Sequence, residues 1–192
     1  MADTRGRMVD ATVQALQRRG VAGMSFTDVL RDSGAARGAI YHHFPGGKAQ
    51  LVAEAATRNG EDVRTGLAAL PAGDPLVVVT AFLDAVRPVL AASATGGGCA
   101  VAAISVADGE GEPGDTNLRR TAASIFASWT RTLAERMAAA GLPPDEAAGL
   151  ATALLMLLEG AHVLCRAAGT LEPFEQAAHT ATALARARYE SR

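Results

Sequence analysis

The sequence predicts an all-α protein of about nine helices, an N-terminal three-helix helix-turn-helix unit followed by a larger helical body. Three observations carry this. About a fifth of the 192 residues are Ala, while Phe, Tyr and Trp together make only 4%. Ala loses no side-chain entropy in a helix, so such a chain favours helices over sheets. Apolar residues recur at helical spacing from the start of the chain. Capping residues, Pro and Gly punctuate these runs at intervals that suit helices, and no clear strand or repeat is visible.

The elements follow in order. Met8, Val9, Val13, Ala15 and Leu16 mark a first helix over 5–19, closed by Arg18, Arg19 and then Gly20. Thr27 is expected to cap the second, with Asp28 in its first turn, Val29 and Leu30 inward and Gly34 as its stop. After a short link, Arg37 to Phe44 forms a third helix, stopped by Pro45-Gly46-Gly47. Two short helices across a tight Gly-containing turn are the layout of a helix-turn-helix. A longer amphipathic helix over 48–70 leads into the body. Asp74-Pro75 opens the next, which reaches about Ala92 with a kink expected near Pro88. Gly96-Gly97-Gly98 precedes a short apolar stretch, Cys99 to Ala107. Residues 108–117 read as an acidic, Gly-rich loop, with Asp115 capping a helix through Ala140. Pro143-Pro144 and Glu172-Pro173 open the last two helices. The expected domains are therefore 1–48, linked through helix 48–70, and 71–192.

Charge divides along the same line. The net charge is −2. Residues 1–48 hold seven basic residues (Arg5, Arg7, Arg18, Arg19, Arg31, Arg37, Lys48) against Asp3, Asp10, Asp28 and Asp32, a net +3, which leaves −5 for the rest. A basic head on an acidic body points to nucleic acid at the N-terminal end.

Several function classes are disfavoured. Cys99 and Cys165 make no disulfide framework, and the N-terminus has no apolar leader, which fits a reducing cytoplasm. Ala147 to Cys165 is apolar over 19 residues but contains Glu159 and His162, so a buried helix suits it better than a membrane span. Gly109 to Gly114 satisfies G-x-G-x-x-G, but no strand precedes it and Glu110 and Glu112 would repel a pyrophosphate. His162, Cys165 and His179 lack the companions a metal site needs. No catalytic constellation, metal or cofactor is expected.

The chemistry lies on the third helix. At 100° per residue, Ile40, His43 and Phe44 share one side, while Gly38, Tyr41 and His42 fall largely on the other. Ile40 and Phe44 can pack inward, with His43 assigned to the core. Arg37 sits at the helix start, where recognition helices reach base edges or phosphates. Tyr41 and His42 can donate to phosphate oxygens, and Gly38 lets a surface come close. Lys48 begins the following helix beside free backbone N–H groups, and Thr27 can touch the DNA backbone from the second helix.

These residues carry a resemblance. Phe26-Thr27-Asp28-Val29 followed by Ser33 through Leu51, with its Gly38-x-x-Tyr41-x-x-Phe44 core, resembles the DNA-binding domain of the TetR family of repressors. Arg37-Gly38, Tyr41 through Lys48, Leu158-Glu159-Gly160-Ala161 and Glu172-Pro173 are similar to its LmrA/YxaF-like subgroup. The resemblance implies a homodimer that binds a palindromic operator on double-stranded DNA. A small-molecule effector would enter the C-terminal domain and release it. Ala36 departs from the Ser that often caps the recognition helix in the family, which leaves open how the N–H groups there are satisfied. The alternative is a ligand-independent or partner-controlled DNA-binding regulator.

In the body, Phe82, Phe126, Trp129, Met156, His162 and Arg166 are the candidates to line an effector pocket, against a reading of them as plain core. Leu154, Leu158 and Ala161, with Ala178 and Ala181, are the candidate dimer interface. Leucines spread round much of the helix and small residues permit close approach, which suits a four-helix interface from two helices per subunit.

Overall fold

In a computed structural model the structure describes residues 3–107 and 113–189, with 113–116 and 188 described by their backbone alone. Among the described residues there are nine helices and no strand: α1 (Thr4–Arg19), α2 (Phe26–Ser33), α3 (Ala39–His43), α4 (Gly47–Ala68), α5 (Pro75–Ala94), α6 (Ala100–Ser105), α7 (Pro113–Ala139), α8 (Pro144–Ala168) and α9 (Glu172–Tyr189). The all-α class is as the composition predicts.

The chain forms two compact units. The first comprises Met1–Asp62 and Cys99–Phe126, and the second Val63–Gly98 and Ala127–Arg192. The described residues of 99–126, which the sequence division assigns to 71–192, thus belong to the first unit, and α6 packs against α1.

In the first unit, local chemistry sets the helix ends. Asp3 caps α1 by accepting from Gly6 N at 2.6 Å, and Gly20, at φ 67°, stops it. Met8, Val9, Ala11, Ala15 and Leu16 turn one buried face toward the core. Thr12 is buried on that face too, its hydroxyl satisfied by the Met8 carbonyl at 2.8 Å. The N-cap of α2 is Ser25, not Thr27. Its Oγ accepts from Asp28 N at 3.2 Å and donates to Asp28 Oδ2 at 2.8 Å. Thr27 is instead inside the first turn. The sequence carried this signal, since Ser25 and Asp28 stand at capping-box spacing. Gly34 ends α2 in the left-handed region, and the Ala35 and Gly34 amides return to Leu30 and Arg31, a Schellman motif.

The second unit packs α5 against α8 and α9, and α8 against α9. Asp74 caps α5 at Val77 N, 2.9 Å, with Pro75 behind it, and α5 continues through Pro88 to Ala94. Val78, Val79, Phe82, Leu83 and Leu90 on α5, and Ala147, Ala151, Leu154, Leu155, Leu158 and Ala161 on α8, are buried. α5 and α8 are long and apolar enough to cross a membrane by length and composition. Here each lays its buried stripe into a shared helical core. Residues 113–117, expected in a loop, already belong to α7, while 108–112, with most of the Gly109–Gly114 pattern, lie outside the described residues.

Candidate nucleic-acid interface

The third helix is shorter than expected. It spans Ala39–His43, and Arg37 and Gly38 form the turn that leads into it. Gly38 already has helical φ and ψ, and the Ala39 amide donates to the Ala36 carbonyl at 2.9 Å. A backbone carbonyl therefore serves one amide of a helix start that has no side-chain cap. The periodicity argument sorts the two faces correctly. Ile40 and Phe44 are fully buried, whereas Arg37, Gly38, Tyr41 and His42 are exposed, Tyr41 at 67%. Its ring stands edge-on to Phe26 of α2, centroids 5.9 Å apart. That contact steers the phenol without burying it. His43, assigned to the core, is half-buried, with its ring between those of His42 and Phe44. Thr27 is exposed and Lys48 half-buried at the second position of α4.

The structure also decides which cations are free. Arg5 pairs with Glu54 and lies over the Phe44 ring, 5.1 Å from its centroid. Arg7 Nε donates to the Ser33 carbonyl at 3.0 Å, at the negative end of α2. Arg19 and Arg31 both hold Asp28, at 3.3 and 3.0 Å, and Arg31 also holds Asp32 at 2.8 Å. Asp28 is accordingly held below the usual carboxylate range, first by the Ser25 hydroxyl and then by the two guanidiniums, against some desolvation. Among the described residues, the side chains of Arg37 and Lys48 have no hydrogen-bond or ion-pair partner, unlike the other basic residues of 3–48. The sequence charge of +3 therefore resolves into internally paired arginines and two unpaired cations flanking α3. The Arg5–Glu54 and Arg7–Ser33 contacts span 49 and 26 residues and carry no signal in periodicity, whereas the Arg31 pairs lie within α2 at spacings the sequence does show.

Turn geometry completes the site. Gly46 N donates to Gln50 Oε1 at 2.8 Å, and Gln50 passes its amide to Glu54 Oε1 at 2.9 Å. Gly47 has φ 69°, a left-handed conformation that disfavours any side chain there. Pro45-Gly46-Gly47 thus makes the sharp exit that sets Lys48 one turn beyond α3.

A family model described as bacterial regulatory proteins, tetR family, matches residues 8–55. A second, described as the transcriptional regulator LmrA/YxaF-like C-terminal domain, matches 75–180. The chain belongs to the TetR family. An HTH-type transcriptional regulator of Mycobacterium tuberculosis, Rv0196, is 36% identical over 177 residues, 91% of this chain and 90% of that protein. The HTH-type transcriptional regulator LmrA of Bacillus subtilis is 26% identical over 89% of this chain and 90% of its own length. In fold, the chain is similar to a TetR transcriptional regulator from Legionella pneumophila, with TM-score 0.78, 20% identity and coverage of 94% and 96%. It is also similar to the regulator CifR, whose cysteine mutant was solved with 26-bp operator DNA, with TM-score 0.68, 21% identity and coverage of 91% and 93%. As a TetR-family transcriptional regulator, this protein binds DNA.

The body distributes its candidates differently from the sequence expectation. Phe82 and Trp129 are buried in the second unit, while Phe126 belongs to the first. Met156 is 72% exposed and therefore lines no interior pocket. Arg166 is exposed and donates to the Gly96 carbonyl at 3.0 Å. His162 is buried, its Nδ1 2.7 Å from Ser93 Oγ, and burial pushes its pKa down to about 4. The Ser93 hydroxyl also reaches the Val89 carbonyl at 3.1 Å. It has one proton; given to Val89, that proton leaves Nδ1 as the protonated nitrogen of the neutral ring. A cavity of about 280 Å³ does lie in this unit, lined by Val79, Leu150, Leu154, Leu157, Leu184 and Tyr189 among others, and none of the six expected ligand residues borders it.

Leu154, Leu158, Ala161 and Ala178 are buried within the chain itself, and Ala181 is half-buried. α5, α8 and α9 pack on one another, and this packing inside one chain buries the first four. Exposed large apolar groups on these two helices include Met156, Val163 and Leu164 on α8 and Leu184 on α9. Spacings of seven and eight residues put the α8 three on one side.

Proposed function

We propose that the protein is a one-component repressor that acts as a homodimer on a palindromic operator in the cytoplasm. A small apolar or amphiphilic effector bound in the C-terminal domain, 71–192, releases it, and residues 1–48 read the DNA. The observation that carries the DNA-reading part is the division of α3: Ile40 and Phe44 are sealed inward while Arg37, Gly38, Tyr41 and His42 stand exposed. Thr27 and Lys48 flank them as phosphate contacts. CifR, a neighbour in fold, was solved with operator DNA, which supports DNA binding for a protein of this fold.

Two copies supply two heads, and exposed Met156, Val163, Leu164 and Leu184 supply the apolar surface that a second copy covers. Release is a population shift: the effector must bind the non-DNA form more tightly, and its effect cannot exceed that difference.

Mobility shifts on a randomised duplex pool test the reading. Tyr41→Ala weakens binding across sequences, and Arg37→Ala also relaxes base preference at its position. Unchanged binding by Tyr41→Ala removes the site assignment. Light scattering at micromolar concentration reports a dimer, which Val163→Asp with Leu164→Asp converts to monomer. A wild-type monomer sinks the dimeric reading.

A further inference from the structure

On α2 of the first unit, Arg31 is 64% exposed, yet its guanidinium is taken by two carboxylates, Asp28 at 3.0 Å and Asp32 at 2.8 Å. Arg31 follows exposed Thr27 by four residues, so the two share a helix face. On the proposed reading, Thr27 meets the DNA backbone, and Arg31 stands one turn further along the same face. A guanidinium there would pair bidentately with a phosphate if nothing held it. We propose that Asp28 and Asp32 set DNA discrimination by competing with phosphates for Arg31, which lowers affinity for duplexes of arbitrary sequence.

The physical argument runs through what each complex depends on. Binding to arbitrary sequence is nearly all phosphate electrostatics, so each withheld cation weakens it directly. An operator complex adds base contacts from α3, which Arg31 does not supply, and so loses proportionately less. Exposed ion pairs are weak, so the carboxylates compete with phosphate rather than abolish its binding. Arg37 and Lys48, which have no such acid partner among the described residues, keep their charge available.

The test titrates a scrambled duplex and a pool-selected duplex of equal length over a salt series. The proteins are wild type, Asp32→Asn, Asp28→Asn/Asp32→Asn, the same pair with Arg31→Gln, and the control Glu61→Gln/Asp62→Asn. The control changes net charge equally on exposed positions of α4. Asn at 28 keeps an oxygen acceptor for the Ser25 hydroxyl. Asp32→Asn touches no cap and reports the same effect if the pair variant fails to fold.

The expected result for the pair variant is scrambled-duplex binding about three- to tenfold tighter at low salt, with a salt slope steeper by about one. Pool-selected binding gains less, so discrimination falls. Asp32→Asn shows the same sign at smaller size, and Arg31→Gln removes the gain. Scrambled-duplex affinity left unchanged, a gain that survives Arg31→Gln, or an equal gain in the α4 control overturns the proposal. The scrambled arm needs no operator, so a failed selection sinks the operator reading while this arm still decides.

Discussion

The first unit meets its electrostatic needs at the surface, and the second meets its packing needs in the interior. In the first, Arg5, Arg7 and Arg19 tie α1 to α4 and α2, and Arg31 pairs within α2, over a core closed by Met8, Leu16, Ile40, Phe44 and Leu51. In the second, α5, α8 and α9 bury Phe82, Leu90, Leu154 and Phe174, with Ser93 and His162 as a polar pair inside. Exposed pairs contribute roughly 0–1 kcal/mol each. Buried side chains contribute several times that when a cavity replaces them. The DNA-reading face can therefore be changed with little loss of stability, while the body cannot.

The largest effect expected from this difference is Phe82→Ala. The side chain is fully buried, and its loss costs about 3–5 kcal/mol. Denaturant unfolding followed by the fluorescence of buried Trp129 measures it in the same unit. A cost below about 1 kcal/mol breaks the contrast.

Next comes pH. His162 has a pKa near 4 in the folded chain against an ordinary 6.5. Between those values the unfolded chain binds the extra proton, so stability rises with pH. The contribution is complete above about pH 6.5 and lost as pH falls toward 4, up to about 3 kcal/mol in all. His162→Gln flattens this part of the stability profile between pH 4 and 6.5. A profile identical to wild type shows that the imidazole is not what the buried pair responds to.

The smallest effect sharpens the comparison within the first unit. Ser25→Ala removes the α2 cap and costs about 1 kcal/mol. Thr27→Ala changes stability by less than about 0.5 kcal/mol, because its side chain is exposed, but it weakens DNA binding on the reading proposed above. Thermal unfolding beside mobility shifts separates the two. The reverse ranking would return the cap to Thr27.

Much of the fold was legible in particular residues. Gly20 and Gly34 end helices at positive φ as the sequence placed them, and Asp74-Pro75 opens α5. The inward pair Ile40 and Phe44 followed from helical periodicity alone. Asp3 and Ser25 as caps were also present as local signals, although Thr27 drew the assignment away from Ser25.

The body was harder to read for a physical reason. Leucines spread around α8 tell that the helix is covered on several sides, but not by what. Leu154 and Leu158 face the chain's own core, while Val163 and Leu164, also apolar, face outward. Composition is the same on both sides, so only the docking of α5 and α9 distinguishes them.

The sequence by itself determined the order of the helices, several of their stops, the α3 motif and the family, because each rests on contacts within about one turn or on a short linear pattern. The tertiary structure decided which arginines stay free, which leucines are covered and that His162 is neutral. Those outcomes depend on partners far along the chain, Glu54 for Arg5 at 49 residues and Ser93 for His162 at 69. Proximity of that kind is created by folding and leaves no spacing in the sequence to read.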